Sequence, residues 1–276
     1  MYNLENLVIK VVMSLIPNDT LKFHINEALL HYQDERSTKV RQEARRVTIE
    51  EIRAKTDHTS LKPHATYQDI KILCAEAMAN HFFAVCVASS FVRMAKRSLI
   101  GSDVKIVSVV GFPHGNASTL SKIAEAKTAI RHGADEIDTV LHIGALKSKD
   151  YYYVYSDLAK LALAIHPIPL KIILETGALT REEKIVACTI ATLTKATFIK
   201  TSTGFSEGGA TVADVALMKK IAGNHLKIKA SGGIRTYRQA VDMISAGADR
   251  LGTSASVAIV GQEKGKKHED IRNQHY

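Results

Sequence analysis

The sequence predicts a (β/α)8 barrel with an N-terminal helical extension, and three observations carry that prediction. Between Thr56 and Thr253, eight short β-prone runs alternate with helical stretches through brief connections. Glycines stand where helices should stop, at Gly133, Gly223 and Gly247, and hydroxyl caps stand where they should start. The chain has 276 residues, 46% of them hydrophobic, enough for one core of barrel size, and no shift in composition divides it. An open, doubly wound sheet is the competing architecture. The strand count favours closure.

In chain order, Leu4, Leu7, Val8, Val11, Val12 and Leu15 follow helical spacing until Pro17-Asn18-Asp19 interrupts it. Leu21, Ile25, Ala28, Leu29 and Tyr32 then resume the stripe. Residues 1–46 are therefore expected to form a helical extension. Its apolar stripes should bury against the bottom or side of the barrel, away from catalysis, or against a second copy in a homo-oligomer. Thr48 with Glu51 has the capping-box spacing and opens a short helix. The barrel is expected over residues 47–262, followed by a polar tail at 263–276. Its strands are predicted at Thr56–Leu61, Phe82–Ala88, Lys105–Phe112, Glu136–Ile143, Leu170–Thr176, Thr197–Thr203, Lys227–Ser231 and Arg250–Thr253. Among the intervening helices, Thr66 with Asp69, Ser118, and Thr180 with Glu183 supply N-caps.

The net charge is +9, yet residues 1–50 carry seven basic against seven acidic side chains, so the excess belongs to the middle of the chain. A positive middle suits an anionic small molecule. A nucleic-acid partner would more often show a concentrated basic arm with stacking aromatics, and none is present. Three scattered cysteines, Cys74, Cys86 and Cys188, make no C-x-x-C pair, which points to a reducing, cytoplasmic setting. No apolar run approaches the length that spans a membrane, and seven acidic residues in the first fifty argue against a transit peptide. The histidines form no H-E-x-x-H, and neither a Walker loop nor G-x-G-x-x-G occurs. Metal and dinucleotide motifs are therefore unsupported.

Chemistry gathers on T-F-I-K-T-S-T-G, where Lys200 interrupts a run that otherwise reads as a buried strand. A lysine at a strand end often just reaches solvent along its aliphatic stem. In a low-dielectric site, however, the amine becomes a nucleophile that forms a Schiff base with a carbonyl. The second lysine, Lys229 of K-I-K-A-S-G-G-I, favours the second interpretation. On an adjoining strand, a like charge at roughly 6 Å and an effective dielectric near 20 is worth about 2.8 kcal/mol against a second ammonium. Counting five residues from the presumed helix ends puts Asp138, Lys200 and Gly252 at similar heights near the strand tops, where barrels build their sites. Asp138 could hold a water or shuttle a proton there, or merely pair with a lysine. Ser231-Gly232-Gly233 and Gly252-Thr253-Ser254 follow the last two strands, the usual place for a phosphate cradle, and Gly204 with Gly208-Gly209 could extend that rim.

With these segments placed, the chain resembles the deoxyribose-phosphate aldolase family from about Thr48 to Val260. The likeness includes D-H-T-S-L-K-P at Asp57, V-C-V at Cys86, G-F-P-H-G-N at Gly111–Asn116 and I-L-E-T-G at Ile173–Gly177. The resemblance implies a class I aldolase that reversibly cleaves 2-deoxy-D-ribose 5-phosphate to D-glyceraldehyde 3-phosphate and acetaldehyde, in deoxynucleoside catabolism, with no metal or organic cofactor. It assigns Lys200 as the Schiff-base lysine, Lys229 as the cation that keeps it neutral, Asp138 as the relay carboxylate and Asp57 as its support. Gly204, Gly232, Gly233, Gly252 and Ser254 match phosphate-binding positions, and the bond expected to break is C3–C4. Ala255 stands where some relatives carry a second serine, which puts phosphate affinity in question. Another Schiff-base barrel, such as a transaldolase or a keto-acid aldolase, would share a barrel lysine without this set of motifs. A binding-only barrel would be expected to lack one of Lys200, Lys229 or Asp138.

Overall fold

A computed structural model describes residues 15–33 and 46–261; the predicted first helix of the extension and the polar tail lie outside the described residues. Helix α1 (Asn18–Gln33) starts after Pro17, and α2 (Ile49–Ala54) leads into β1 (Thr56–Thr59). The barrel continues as α3 (Tyr67–Ala79), β2 (Ala84–Ala88), α4 (Val92–Ser98), β3 (Lys105–Val110), α5 (Thr119–His132) and β4 (Glu136–Val140). Then come α6 (Ile143–Lys147), α7 (Tyr151–Ile165), β5 (Leu170–Ile173), α8 (Arg181–Thr192), β6 (Phe198–Lys200), α9 (Val212–Ala222), β7 (Lys227–Ser231), α10 (Tyr237–Ser245) and β8 (Arg250–Thr253). A final helix, α11, spans 256–261. All eight strands pair in parallel with their sequence neighbours, and β8 closes on β1.

Local chemistry explains where the elements begin and end. Thr66 with Asp69 and Thr180 with Glu183 form complete capping boxes, and Ser118 accepts the Ser121 N–H. Thr236 with Gln239 makes a third box that the sequence pattern did not single out. At Thr48 the hydroxyl accepts the Glu51 N–H, while the Glu51 carboxylate lies 3.6 Å from the Lys55 amine. Gly133 ends α5 in the left-handed region that favours glycine (φ 110°).

Five of the predicted strands run past their observed ends, by two or three residues each. The apolar residues there are buried or half-buried, and the ladder gives way to single bonds such as Leu141 N–H to the Ile173 carbonyl and Leu174 N–H to that of Lys200. His142 caps α6, Glu175 turns left-handed above β5, and Thr201 after β6 donates its N–H to the Lys229 carbonyl and accepts the Thr176 N–H. Burial in loops that fold back over the barrel mouth imitates strand patterning.

Two cores result. The larger packs the outward faces of the strands against the helices. The smaller lies inside the barrel and is confined to β2 and β3, where Ala84, Cys86, Val107 and Val109 meet Leu61, Phe83 and Phe112. The rest of the interior carries the charged residues, with Phe198 buried among them and its ring centre 5.7 Å from the Lys171 amine. Helix α1 buries Leu21 and Ile25 against α8 and α7 on the barrel's flank, and the Tyr155 hydroxyl accepts the Ile16 N–H at 3.1 Å.

Candidate active site

Inward positions alternate along each strand, so Glu136 and Asp138 on β4, Lys171 on β5, Lys200 on β6, Lys229 and Ser231 on β7, Arg250 on β8 and Asp57 on β1 face one interior. Register brings them level. Lys200 pairs with Lys229, Asp138 with Lys171 and Asp57 with Gly252. The amines of Lys200 and Lys229 both donate to the same Asp138 oxygen, Oδ2, at 3.0 and 2.9 Å. Lys229 also donates to Asp57 Oδ2 at 2.5 Å. Asp138 Oδ1 accepts from Lys171 at 2.8 Å, and the Lys171 amine lies 2.6 Å from Glu136 Oε2. Arg250 closes the circle, donating to Glu136 at 3.1 Å and Asp57 at 2.9 Å while its guanidinium stacks 3.6 Å from the centre of the Phe83 ring.

The buried charges thus form a ring of three cations and three carboxylates, with Lys200 attached to it through Asp138. Lys229, Lys171 and Arg250 each touch two carboxylates. Lys200 touches only Asp138, which it shares with two other amines. Sequence reasoning found Asp57, Asp138, Lys200 and Lys229 but missed Glu136, Lys171 and Arg250. The available signal was a charged residue at alternate positions in runs that a fully buried parallel strand would fill with aliphatics: E-I-D, K-I-I, K-I-K and R-L-G.

Burial disfavours the charged forms of Asp138, Asp57 and Lys229, but the ring reverses that. At Asp138 the penalty is outweighed by Lys171, Lys229 and Lys200, which hold the carboxyl well below the usual range. Asp57 is held down by Lys229 and Arg250 against the same penalty. At Lys229 burial is overcome by Asp138 and Asp57, which push the amine above the ordinary lysine value. In the resting site Lys229 is consequently a cation and the two aspartates are anions. The sequence-based picture of two amines repelling across open space needs amending: a carboxylate oxygen stands between them.

Above the ring opens a cleft of about 610 Å³, with Lys200 in its wall and only 2% exposed. Gly204, Gly232, Gly233, Gly252 and Ser254 all border it, together with Thr203, Ser231 and Arg235. Asp57, Asp138 and Lys229 lie beneath it, out of contact with solvent. Among the described residues the N–H groups of Gly204, Gly232 and Gly233 donate to no other protein group, as an anion cradle requires. Gly252 has a further task. A Cβ there would come within 2.3 Å of Ser231 Oγ and 2.9 Å of Lys229 Cε, so glycine makes room for the Lys229 stem. No group of three or more metal-ligating side chains occurs among the described residues.

Comparison with known proteins identifies the family. A family model described as DeoC/LacD family aldolase matches residues 45–262. The deoxyribose-phosphate aldolase of Thermotoga petrophila is 48% identical over 246 residues, which cover 88% of this chain and 98% of that protein. A crystal structure from Coccidioides immitis, described as a candidate deoxyribose-phosphate aldolase, superposes with a TM-score of 0.83 at 36% identity, covering 90% of this chain and 98% of its own. The deoxyribose phosphate aldolase of Aeropyrum pernix, whose structure is described as uniquely tetrameric, gives 0.69 at 27% identity over 87% and 97% of the two chains.

Proposed function

The chain belongs to the DeoC/LacD aldolase family, and from that premise we infer how its site performs the reversible cleavage of 2-deoxy-D-ribose 5-phosphate to D-glyceraldehyde 3-phosphate and acetaldehyde. The observation that carries the residue roles is the shared oxygen. Lys200 and Lys229 meet on Asp138 Oδ2 directly below a glycine-rimmed cleft. With all four cations charged, the interior holds one more positive than negative group. Releasing a proton from Lys200 balances it, and leaves Lys229, Lys171 and Arg250 with both of their carboxylates.

Neutral Lys200 adds to the C1 aldehyde of the open-chain sugar, and loss of water gives a protonated imine. A base removes the C3 hydroxyl proton, and the electrons of the breaking bond flow into the imine to leave an enamine. Carbon counting puts that break at C2–C3, not at C3–C4. A two-carbon aldehyde and a three-carbon phosphate leave, and only the bond to the carbon next to the imine can give the enamine. Protonation of the enamine at C2 and hydrolysis then free acetaldehyde and Lys200. Asp138, through the proton it exchanges with Lys200 and Lys229, is the relay for these transfers, and Asp57 holds the Lys229 end of it. The phosphate is assigned to Gly204, Gly232, Gly233, Gly252 and Ser254 at the mouth.

Borohydride added with deoxyribose 5-phosphate should reduce the imine and attach a fragment to one lysine, identified by peptide mass. Lys200 is the expected site. Labelling at Lys229 or Lys171, or none in an active preparation, overturns the assignment. A homo-oligomer is the corresponding proposal for assembly, since the Aeropyrum relative is tetrameric. No helix among the described residues is long and apolar enough to cross a membrane, and a cytoplasmic setting is a proposal supported by three free, buried thiols.

A further inference from the structure

Glu175, directly after Leu174 at the top of β5, takes a left-handed backbone conformation (φ 58°, ψ 60°) that costs free energy for any residue but glycine. Its side chain is also buried, with 2% of the residue exposed. No lysine or arginine pairs with it among the described residues. Its carboxylate instead accepts donors from a single loop, the one that follows catalytic strand β6. The Thr203 N–H reaches Oε1 at 3.2 Å and Oε2 at 3.3 Å, the Thr203 hydroxyl donates to Oε2 at 2.5 Å, and the Ser206 hydroxyl donates at 3.3 Å.

The Thr203 hydroxyl has one proton and gives it to the carboxylate, so its lone pairs are left to accept. They take the Phe205 N–H at 3.1 Å. The backbone is therefore tied on both sides of Gly204, which needs its positive φ of 87° to make the turn. Backbone packing on the neighbouring turns leaves the loop little room. A Cβ at Gly177 would lie 2.5 Å from the Glu207 carbonyl oxygen, and one at Gly209 would lie 2.6 Å from that of Gly232. Thr203, Gly204 and Phe205 are all cleft-lining residues. A buried carboxylate without a counter-charge, on a strained backbone, persists where its surroundings over-determine it. Here those surroundings are the wall of the proposed phosphate end.

We propose that Glu175 is a positioning residue for the substrate phosphate: through Thr203 it holds the Thr203–Ser206 loop so that Gly204 stays in the cleft wall. The proposal rests on the assignment of Gly204 to the phosphate end. Its test compares deoxyribose 5-phosphate with unphosphorylated 2-deoxyribose in the wild type, Glu175→Gln, Thr203→Val and Thr203→Ser. Gln keeps the size of the side chain but sets an NH2 group against the loop's donors, and Val keeps the shape of threonine without its hydroxyl. Both are expected to raise KM for the phosphorylated sugar at least tenfold with a smaller change in kcat. Inorganic phosphate should weaken as a competitive inhibitor by a similar factor, while kcat/KM for deoxyribose falls less than threefold. Thr203→Ser, which retains the hydroxyl, should recover the wild-type KM. The double variant Glu175→Gln/Thr203→Val should be no worse than the poorer single one, because both remove the same contact. Equal losses on the two sugars, or an unchanged KM in a folded variant, would overturn the proposal. If Glu175→Gln does not fold, Thr203→Val decides by the same criteria. A wild type that cleaves deoxyribose 5-phosphate but treats both sugars alike would remove the phosphate assignment, and this proposal with it.

Discussion

Lys229→Leu tests whether the surplus charge is what makes Lys200 a nucleophile. In the wild type, Lys229 occupies both Asp57 and Asp138, so Lys200 is not needed as a counter-ion. Removing the Lys229 ammonium leaves three cations for three carboxylates, and Lys200 becomes the partner that balances Asp138. An ammonium about 5 Å away, at an effective dielectric near 20, is worth about 3 kcal/mol, or roughly two pH units. The acidic limb of log(kcat/KM) should therefore move up by one to two units, with a loss on the order of 10- to 100-fold at neutral pH that is partly recovered on going alkaline. Initial rates of triose phosphate release across the pH range measure this, and borohydride labelling of Lys200 should rise with pH in parallel. Stability follows from the same contacts. The Lys229 contribution, from an amine raised in the fold, is complete below the ordinary lysine range and fades as pH rises through the raised value. The contributions of Asp57 and Asp138, both lowered, are complete above the carboxylate range and fade as pH falls through their folded values. Loss of one member of a buried pair typically costs about 3–5 kcal/mol; here Arg250 and Lys171 still hold the two aspartates, so the low end is expected. A folded Lys229→Leu enzyme with the wild-type limb and rate would refute the coupling.

Asp138→Asn should lower kcat by about 10²- to 10⁴-fold, the usual worth of a positioned acid–base group, while slow borohydride labelling of Lys200 persists; unchanged turnover would remove Asp138 from the relay. Gly252→Ala should cost up to about 100-fold in kcat, as a displacement near 1 Å does at a catalytic group, because the new Cβ would push on Lys229 Cε and Ser231 Oγ. Gly233→Ala meets no atom within 4 Å but must adopt φ +76°, so its penalty is about 1–2 kcal/mol of backbone strain, read as a higher KM for the phosphorylated sugar than for deoxyribose. A chain beginning at Arg46 exposes the surface that Leu21 and Ile25 cover, worth roughly 3–6 kcal/mol before the cost of ordering α1. It should melt earlier or change assembly with kcat within a fewfold, and a folded truncate that has lost catalysis would contradict docking away from the site.

The fold was legible because its signals are local. Caps at Thr66, Ser118 and Thr180 and the stop at Gly133 each depend on a few consecutive residues, and each is where the pattern put it. Strand ends were less legible because the signal for a strand, continuous burial of β-prone residues, does not distinguish a ladder from a loop folded over the barrel mouth. Val140 and Leu141 are equally buried, yet only the first is in β4. The flank position of α1 depends on complementarity to α8 and α7, and no residue within 18–33 encodes which surface it will meet.

The site divides along the same line. Lys200 and Lys229 announced themselves because each stands beside a glycine loop at a strand top. Lys171 and Arg250 sit lower, second and first in their strands respectively, where a charged side chain is also compatible with snorkelling into solvent. What excludes that alternative is non-local: the register of β4 on β5 sets Lys171 level with Asp138, and the apolar patch on β2 and β3 leaves the charges only one another as partners. Each of those charges, considered alone, would be too costly to bury. Taken as a closed ring they satisfy one another, and the only group with a single carboxylate contact is the amine that borders the cleft. A stability argument alone would leave that seventh member out, since three cations already match three carboxylates; its place beside Asp138 makes sense for an amine that must gain and lose a proton and then bond to carbon.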